Sequence, residues 1–191
     1  MNILFMDTSC RTLTVGAIFE GRVHSVVKDA GSGMSSMLMP AVVAVLSECG
    51  ARVSDMDAVA AVVGPGSFTG IRIGAAAATA LTMASGAKRI AVTNFELIAY
   101  GRGAVRAAVD AGRGNMYTAA CENGNVLSAE FMTAEEFASA AADGALFLTS
   151  PEKGTAAALL AVASDKAERG EFVSAFEPYY MRKPQAERGT E

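Results

Sequence analysis

The chain has 191 residues, of which 51% are apolar and 19% charged, and its formal net charge at pH 7 is −4. This composition is typical of a folded globular protein and excludes an intrinsically disordered chain. The acidic balance, without clustered lysine and arginine, argues against autonomous binding of nucleic acid, which depends on basic side chains that displace counterions.

The cysteine and histidine content narrows the chemistry further. Cys10, Cys49 and Cys121 are far apart and have no CxxC spacing, which predicts reduced thiols and a cytoplasmic location. The single histidine, His24, cannot form a paired-histidine metal site, so we expect no metal site and place His24 on an edge strand. The early acid, Asp7, argues against a signal peptide, and the uncharged stretch 73–87 is shorter than the roughly 20 residues that a spanning helix needs.

The first three predicted strands, residues 2–6, 13–19 and 22–28, form a meander, and the first ends in Asp7-Thr8-Ser9. Actin-like folds use an acid followed by hydroxyl residues at such a turn, near the phosphates and metal of a nucleotide. Asp7 could therefore hold a hydrated magnesium ion or pair with Arg72. The residues alone favour a simpler interpretation, in which Asp7, Thr8 and Ser9 hydrogen-bond within their own turn.

Residues 64–74 read GPGSFTGIRIG and connect a predicted strand, 58–63, to a predicted helix, 73–87. Glycines in such a turn allow close backbone approach, and a helix N-terminus can hold an anion. The spacing GxGxxxG is neither the dinucleotide fingerprint nor the Walker pattern, so a plain tight turn remains equally open. The candidate cofactor-binding residues are Asp7, Thr8, Ser9, Gly64, Gly66 and Arg72.

Two predicted helices, 37–49 and 73–87, lack the polar side that a surface helix needs. Ser35 or Ser36 is the expected cap of the first. We predict that the two helices lie side by side on one face of a sheet and present a shared hydrophobic surface to another subunit. The alternative is that a C-terminal lobe folds over them. The predicted contact residues are Met39, Val43, Leu46, Ala76, Thr79 and Met83.

The element order predicts an α/β fold in two lobes. Residues 1–100 give the ribonuclease-H-like βββαβα order of actin-like and Hsp70-like proteins. Residues 101–191 repeat strand, acid, turn and hairpin, with the hairpin turn at Asn123-Gly124-Asn125 and helices at 133–142 and 155–164. This second lobe is reduced, and we expect the aromatic tail, 176–182, to pack onto the body.

Several stretches resemble the TsaB (YeaZ) family. They are Asp7-Thr8-Ser9, the run from Gly64 to Gly74, the segment 109–117 around Asp110, and the ending Pro178-Tyr179-Tyr180-Met181-Arg182. Met34 stands where the family often has histidine. The resemblance covers most of the chain, and the run from Gly64 to Gly74 is its most distinctive part.

The resemblance implies a non-catalytic subunit that pairs with TsaD, which transfers a threonylcarbamoyl group to tRNA adenosine, and with the ATPase TsaE. It implies docking through the first two helices, a homodimer in isolation, and contact with tRNA only through the complex. ATP and magnesium would belong to the complex, so this chain would need no cofactor and have no catalytic residue. TsaD carries a His-x-x-x-His motif, which a chain with one histidine cannot form.

Two other functions remain open at this point. A stand-alone actin-like ATPase or kinase would use Asp7, Thr8, Ser9 and the Gly64 turn on phosphates, but it would need a fuller second lobe. An acyltransferase or peptidase is weaker, because the lone histidine has no acid–base partner that the sequence places.

Overall fold

The structure is a computed structural model that describes residues 1–182. Its strands form two β-sheets, one of five strands and one of four. The strands are β1 (Ile3–Asp7), β2 (Thr12–Phe19), β3 (Arg22–Asp29), β4 (Ala58–Gly64), β5 (Lys88–Thr93), β6 (Ala104–Gly112), β7 (Asn115–Glu122), β8 (Asn125–Met132) and β9 (Phe147–Leu148). The α-helices are α1 (Met34–Cys49), α2 (Phe68–Ser85), α3 (Asn94–Ala99), α4 (Ala134–Ala142) and α5 (Thr155–Arg169).

The first sheet has the order β3-β2-β1-β4-β5. β1, β2 and β3 pair antiparallel as a meander, and β4 and β5 run parallel to β1. Every residue of β1 and of β4 is buried, as expected for central strands covered on both faces. His24 lies on β3, the edge strand, as predicted. The ribonuclease-H-like order predicted for the first half is confirmed.

Helices cover both faces of this sheet. α1 and α2 lie on one face, where Leu38, Val42, Ala75 and Ala78 pack into one core cluster with alternate residues of β1 and β4. α5 covers the opposite face and inserts Leu159 into a second cluster. Of the C-terminal half, α5 therefore packs under the first sheet, and no part of that half within residues 1–182 covers the outer sides of α1 and α2. The alternative in which it folds over them is wrong.

The second sheet has the order β8-β7-β6-β9 and repeats the meander on a smaller scale. The hairpin turn at Asn123-Gly124 is as predicted, with left-handed φ values of 50° and 81°. α3 packs between the two sheets, and its Phe95 and Ile98 belong to the cluster of the second one. Along the chain the strands of the first sheet precede those of the second, and α5, which follows both, packs on the first sheet.

Several predicted helix limits are wrong, for identifiable reasons. α1 begins at Met34 rather than 37, because burial of Met34 in the core draws the preceding turn into the helix. Gly33 is its N-cap, without a side-chain cap, so neither Ser35 nor Ser36 has that role. α5 continues to Arg169, since Lys166 in its last turns pairs with Glu96 at 2.6 Å.

The helix after the glycine turn, α2, also differs from its predicted limits. It begins at Phe68 because the side chain of Ser67 accepts a hydrogen bond from the Gly70 amide, and it ends at Ser85 because Gly86 takes a left-handed φ of 74°. Across residues 1–182, no helix combines the length and the apolar character needed to cross a bilayer.

Candidate functional site

A cleft of about 910 Å³ lies between the two sheets. One wall is the turn after β1 together with residues 65–68, and the other is the end of β6 with Tyr117 of β7. The tail residues 179–182 also line it. Asp7 and Asp110 both face this cleft, each at or near the end of the first strand of its sheet, as the repeated strand–acid pattern predicted.

Asp7 is only 2% exposed, and its interactions stay within its own turn. Its Oδ1 atom accepts hydrogen bonds from the Ser9 amide at 2.8 Å and from Ser9 Oγ at 2.6 Å. Burial raises the pKa of this carboxyl, although the two bonds from Ser9 oppose the shift. Arg72 forms no ion pair with it, so that predicted pairing is wrong. The hydrogen bonds between Ser9 and Asp7 are those of the simpler interpretation, whereas the Thr8 hydroxyl bonds outside the turn, to the Gly70 carbonyl oxygen.

Thr8 points away from the cleft and into the first turns of α2. Its hydroxyl donates a hydrogen bond to the carbonyl oxygen of Gly70 at 2.7 Å, and Thr8 is 1% exposed. A Cβ atom at Gly70 would overlap the Thr8 carbonyl oxygen, and one at Gly74 would overlap Thr8 Oγ1. Thr8 is therefore a packing residue between β1 and α2. The prediction that it contacts a cofactor is not supported by this placement.

The glycine turn is held against the Asp7 turn. The Ser67 amide donates to the Ser9 carbonyl oxygen at 2.6 Å, and a Cβ atom at Gly66 would overlap that same oxygen. Gly64 has a φ of 120° and lies behind the cleft, where its Cβ would be 3.0 Å from the carbonyl oxygen of Tyr179. Gly66 lines the cleft and Gly64 does not. The amide of Ser67 is thus already bonded to protein.

Arg72 is exposed and turned toward the C-terminal tail. Its Nε donates to the Tyr180 hydroxyl at 2.8 Å, and its guanidinium lies 4.0 Å from the centre of the Phe68 ring. It does not line the cleft. Of the six predicted cofactor-binding residues, Asp7, Ser9 and Gly66 therefore face the cleft, whereas Thr8, Gly64 and Arg72 do not.

Asn94, which the sequence analysis missed, joins the ends of three strands. Its Nδ2 donates to Ser9 Oγ at 2.7 Å and to the Pro65 carbonyl oxygen at 2.7 Å. It directly follows β5, beside the turns that follow β1 and β4. Ligands of open α/β sheets bind outside the carboxyl ends of the strands. That rule, applied to the fifth predicted strand, would have identified Asn94.

The outer sides of α1 and α2 form a second candidate site, which we call the helix-pair patch. Val43 is 60% exposed, Met39 43% and Met83 75%, while Ala76 is exposed and Thr79 half-buried. The patch is defined by these residues: Met39, Val43, Ala76, Thr79 and Met83.

Leu46 does not belong to the helix-pair patch, so its predicted place in the interface is wrong. It is 6% exposed and packs in the core cluster between α1 and the first sheet. The reason is helical periodicity, since Leu46 follows Val42 by four residues and shares its inward-facing side.

The fold and the cleft define the class of this protein. Two sheets of ribonuclease-H-like order, with an acid near the end of the first strand of each facing a common cleft, are the architecture of the actin-like α/β proteins. A family model described as TsaD: tRNA N6-adenosine threonylcarbamoyltransferase matches residues 28–166. The chain belongs to this family, and among its members it is similar to the TsaB (YeaZ) proteins.

Individual relatives support that placement. The chain is 33% identical to the tRNA threonylcarbamoyladenosine biosynthesis protein TsaB of Escherichia coli over 125 residues, which are 62% of this chain and 54% of that protein. It is 35% identical to the TsaB of Bacillus subtilis over 123 residues, with the same two coverages, 62% and 54%. The matches thus span about half the length of these curated relatives.

A crystal structure from Pseudomonas aeruginosa, of an uncharacterized protein described as similar to the peptidase YeaZ, covers nearly the whole chain. It superposes with a TM-score of 0.80 at 26% identity, over 95% of this chain and 99% of that one. The predicted family resemblance is confirmed.

Proposed function

We propose that this chain is a partner subunit for the synthesis of threonylcarbamoyladenosine in tRNA, without catalytic residues of its own. It pairs with TsaD, and with TsaE in the assembled complex, and it meets tRNA only through that complex in the cytoplasm. The family and the relatives named TsaB support this proposal. The observation that carries it is the helix-pair patch.

The helix-pair patch has the character of an interface rather than of a solvated surface. Its members Met39, Val43 and Met83 have large apolar side chains that are exposed to solvent, whereas most large apolar side chains of the described residues are buried. Large apolar side chains exposed on two helices that contact each other are typical of protein–protein contact sites. The same patch would pair two copies of the chain when TsaD is absent, so we propose a homodimer in isolation.

We further propose that this chain needs no cofactor, and that ATP and magnesium act elsewhere in the complex. The main support lies at the cleft. Ser9 Oγ is bonded to Asp7 and Asn94, and the Ser67 amide to Ser9, so groups that could have met a nucleotide already have partners. Arg72, the cation nearest the glycine turn in sequence, bonds Tyr180 instead.

The partner proposal is tested by Val43→Asp, because a carboxylate buried in an apolar interface is costly. We expect the dissociation constant for TsaD of the same organism, measured by calorimetry, to rise by about tenfold or more, as for a central interface residue. The matched control is Val27→Asp on β3, since Val27 is 57% exposed and its neighbour Val26 packs against the core cluster beneath α1 and α2, so the Val27 side chain points to the opposite face of the sheet.

Size-exclusion chromatography of the same variants reports on the homodimer. Val43→Asp is expected to elute as a folded monomer and Val27→Asp as the wild type. If both variants bind TsaD as tightly as the wild type does, the helix-pair patch is not the docking surface.

The cleft supports one competing function, a stand-alone ATPase or kinase, because it is large and carries Asp7 and Asp110. Calorimetric titration of the purified chain with magnesium-ATP separates the two proposals. We expect no saturable binding. Magnesium-dependent binding that Asp7→Asn abolishes would favour the kinase instead.

A further inference from the structure

The C-terminal tail, residues 170–182, runs from the end of α5 along the edge of the first sheet and back to the cleft. The Val173 amide donates to the carbonyl oxygen of Arg89 in β5 at 3.0 Å, and Arg89 Nη1 donates to the Ser174 carbonyl oxygen at 2.8 Å. Phe176 is then buried in the core beneath α2. The tail is thus fixed to the first sheet before it reaches the cleft.

At the cleft the tail binds the glycine turn and the first turns of α2. The Tyr179 amide donates to the Val63 carbonyl oxygen at 2.8 Å, at the end of β4. The Tyr180 ring lies 5.1 Å from the ring of Phe68, and its hydroxyl accepts the bond from Arg72. Aromatic, cation–π and hydrogen-bond contacts therefore meet at a single tail residue.

The next two residues of the tail bind the other sheet. Met181 packs against the cluster formed by α3, β6 and β7. The guanidinium of Arg182 lies 4.0 Å from the centre of the Phe131 ring on β8, and that ring meets Tyr117 edge-on at 6.0 Å. Within four residues, the tail passes from contacts with α2 to contacts with the second sheet.

We propose that residues 179–182 form a clasp that holds the two sheets together across the cleft and so sets how far the cleft opens. The clasp also ties the second sheet to the first turns of α2, the helix that carries Ala76, Thr79 and Met83 of the helix-pair patch. A ligand or partner that displaced the clasp would change both sites. This inference depends on the tail contacts and not on the proposed partner function.

Hydrogen–deuterium exchange of the full chain tests the clasp, using Tyr180→Ala and Arg182→Ala, one variant for each side. A clasp predicts effects across the cleft. Arg182→Ala, which removes a contact with the second sheet, should speed exchange in peptides 6–12 and 63–70 of the first. Tyr180→Ala should do the same in peptide 108–117 of the second. We expect a change of about tenfold for Tyr180→Ala, which loses a hydrogen bond and a cation–π contact, and a smaller change for Arg182→Ala, which loses a cation–π contact.

Two further variants separate the clasp from general destabilisation. Tyr180→Phe keeps the ring against Phe68 and removes only the bond from Arg72, so it should give the same pattern with a smaller amplitude. Arg22→Ala, an exposed arginine on β3, should leave all these peptides unchanged. If Tyr180→Ala and Arg182→Ala accelerate exchange only on their own side of the cleft, or equally everywhere, the clasp is refuted.

Discussion

Gly74→Ala is the substitution that tests most directly how α2 packs on the rest of the protein. An alanine Cβ at position 74 would overlap the Oγ1 atom of Thr8, which is buried and donates a hydrogen bond to the Gly70 carbonyl. The Thr8 side chain would have to rotate or α2 would have to move. We therefore expect Gly74→Ala to destabilise the protein although alanine is the better helix former.

The opposing effects can be compared. Replacing glycine by alanine inside a helix stabilises it by about 1 kcal/mol. Overpacking a tight interior contact costs about 1–3 kcal/mol, and loss of the Thr8 hydrogen bond about 1 kcal/mol more. The free energy of unfolding should then fall by about 1–3 kcal/mol in total. Ala80→Gly, on the exposed side of α2, measures the free-energy difference between alanine and glycine in this helix without any packing contact.

The assay is urea denaturation of the variants Gly74→Ala, Thr8→Ala and the double variant. Removing Thr8 Oγ1 frees the space that the new Cβ needs, so the double variant should be more stable than the sum of the single effects allows. We expect a coupling of about 1–3 kcal/mol, in the range found for residues in contact. Additive effects, or a Gly74→Ala protein as stable as the wild type, would refute the close approach of Thr8 and α2.

Two further predictions concern Asp7 and the inner side of α1. Because burial raises the pKa of Asp7, the unfolded chain loses that proton first as the pH rises, so stability falls above the ordinary carboxyl pKa until the folded-state pKa is passed. Asp7→Asn should remove that loss of stability. Urea denaturation of both proteins at pH values from about 4 to about 8 would show the difference in unfolding free energy. Leu46 is buried and Val43 is exposed, so Leu46→Ala should lower the unfolding free energy by about 2–5 kcal/mol and Val43→Ala by less than about 0.5 kcal/mol. Equal effects would contradict this difference in burial.

Periodicity and turn chemistry in the sequence were enough to predict the first sheet. The meander, the buried strand before Gly64 and the two helices on one face all follow from local patterns of apolar residues. The uncovered outer sides of α1 and α2 follow from their lack of a polar face. Leu46 was misplaced because an apolar residue on an all-apolar helix gives no local sign of which side faces the sheet.

The arrangement around the cleft could be predicted less well, because long-range contacts decide it. Nothing near Arg72 in sequence indicates that its partner is Tyr180, 108 residues later. The position of α5 under the first sheet depends likewise on packing between segments that are remote in the chain. Asn94 was missed because a single asparagine after a strand is also an ordinary start of a helix.

Close packing explains the glycines of the run from Gly64 to Gly74. Gly66, Gly70 and Gly74 follow one another at intervals of four residues, and a Cβ atom at each would overlap Thr8 or Ser9. Residues four apart in a helix share one side, so the last two form a smooth stripe on α2, and Gly66 extends it into the turn. The stripe lets α2 lie directly on the turn after β1 and fixes the orientation of the helix that bears Ala76 and Met83. The most distinctive stretch of the sequence therefore positions the helix that carries part of the helix-pair patch, as the proposed partner function requires.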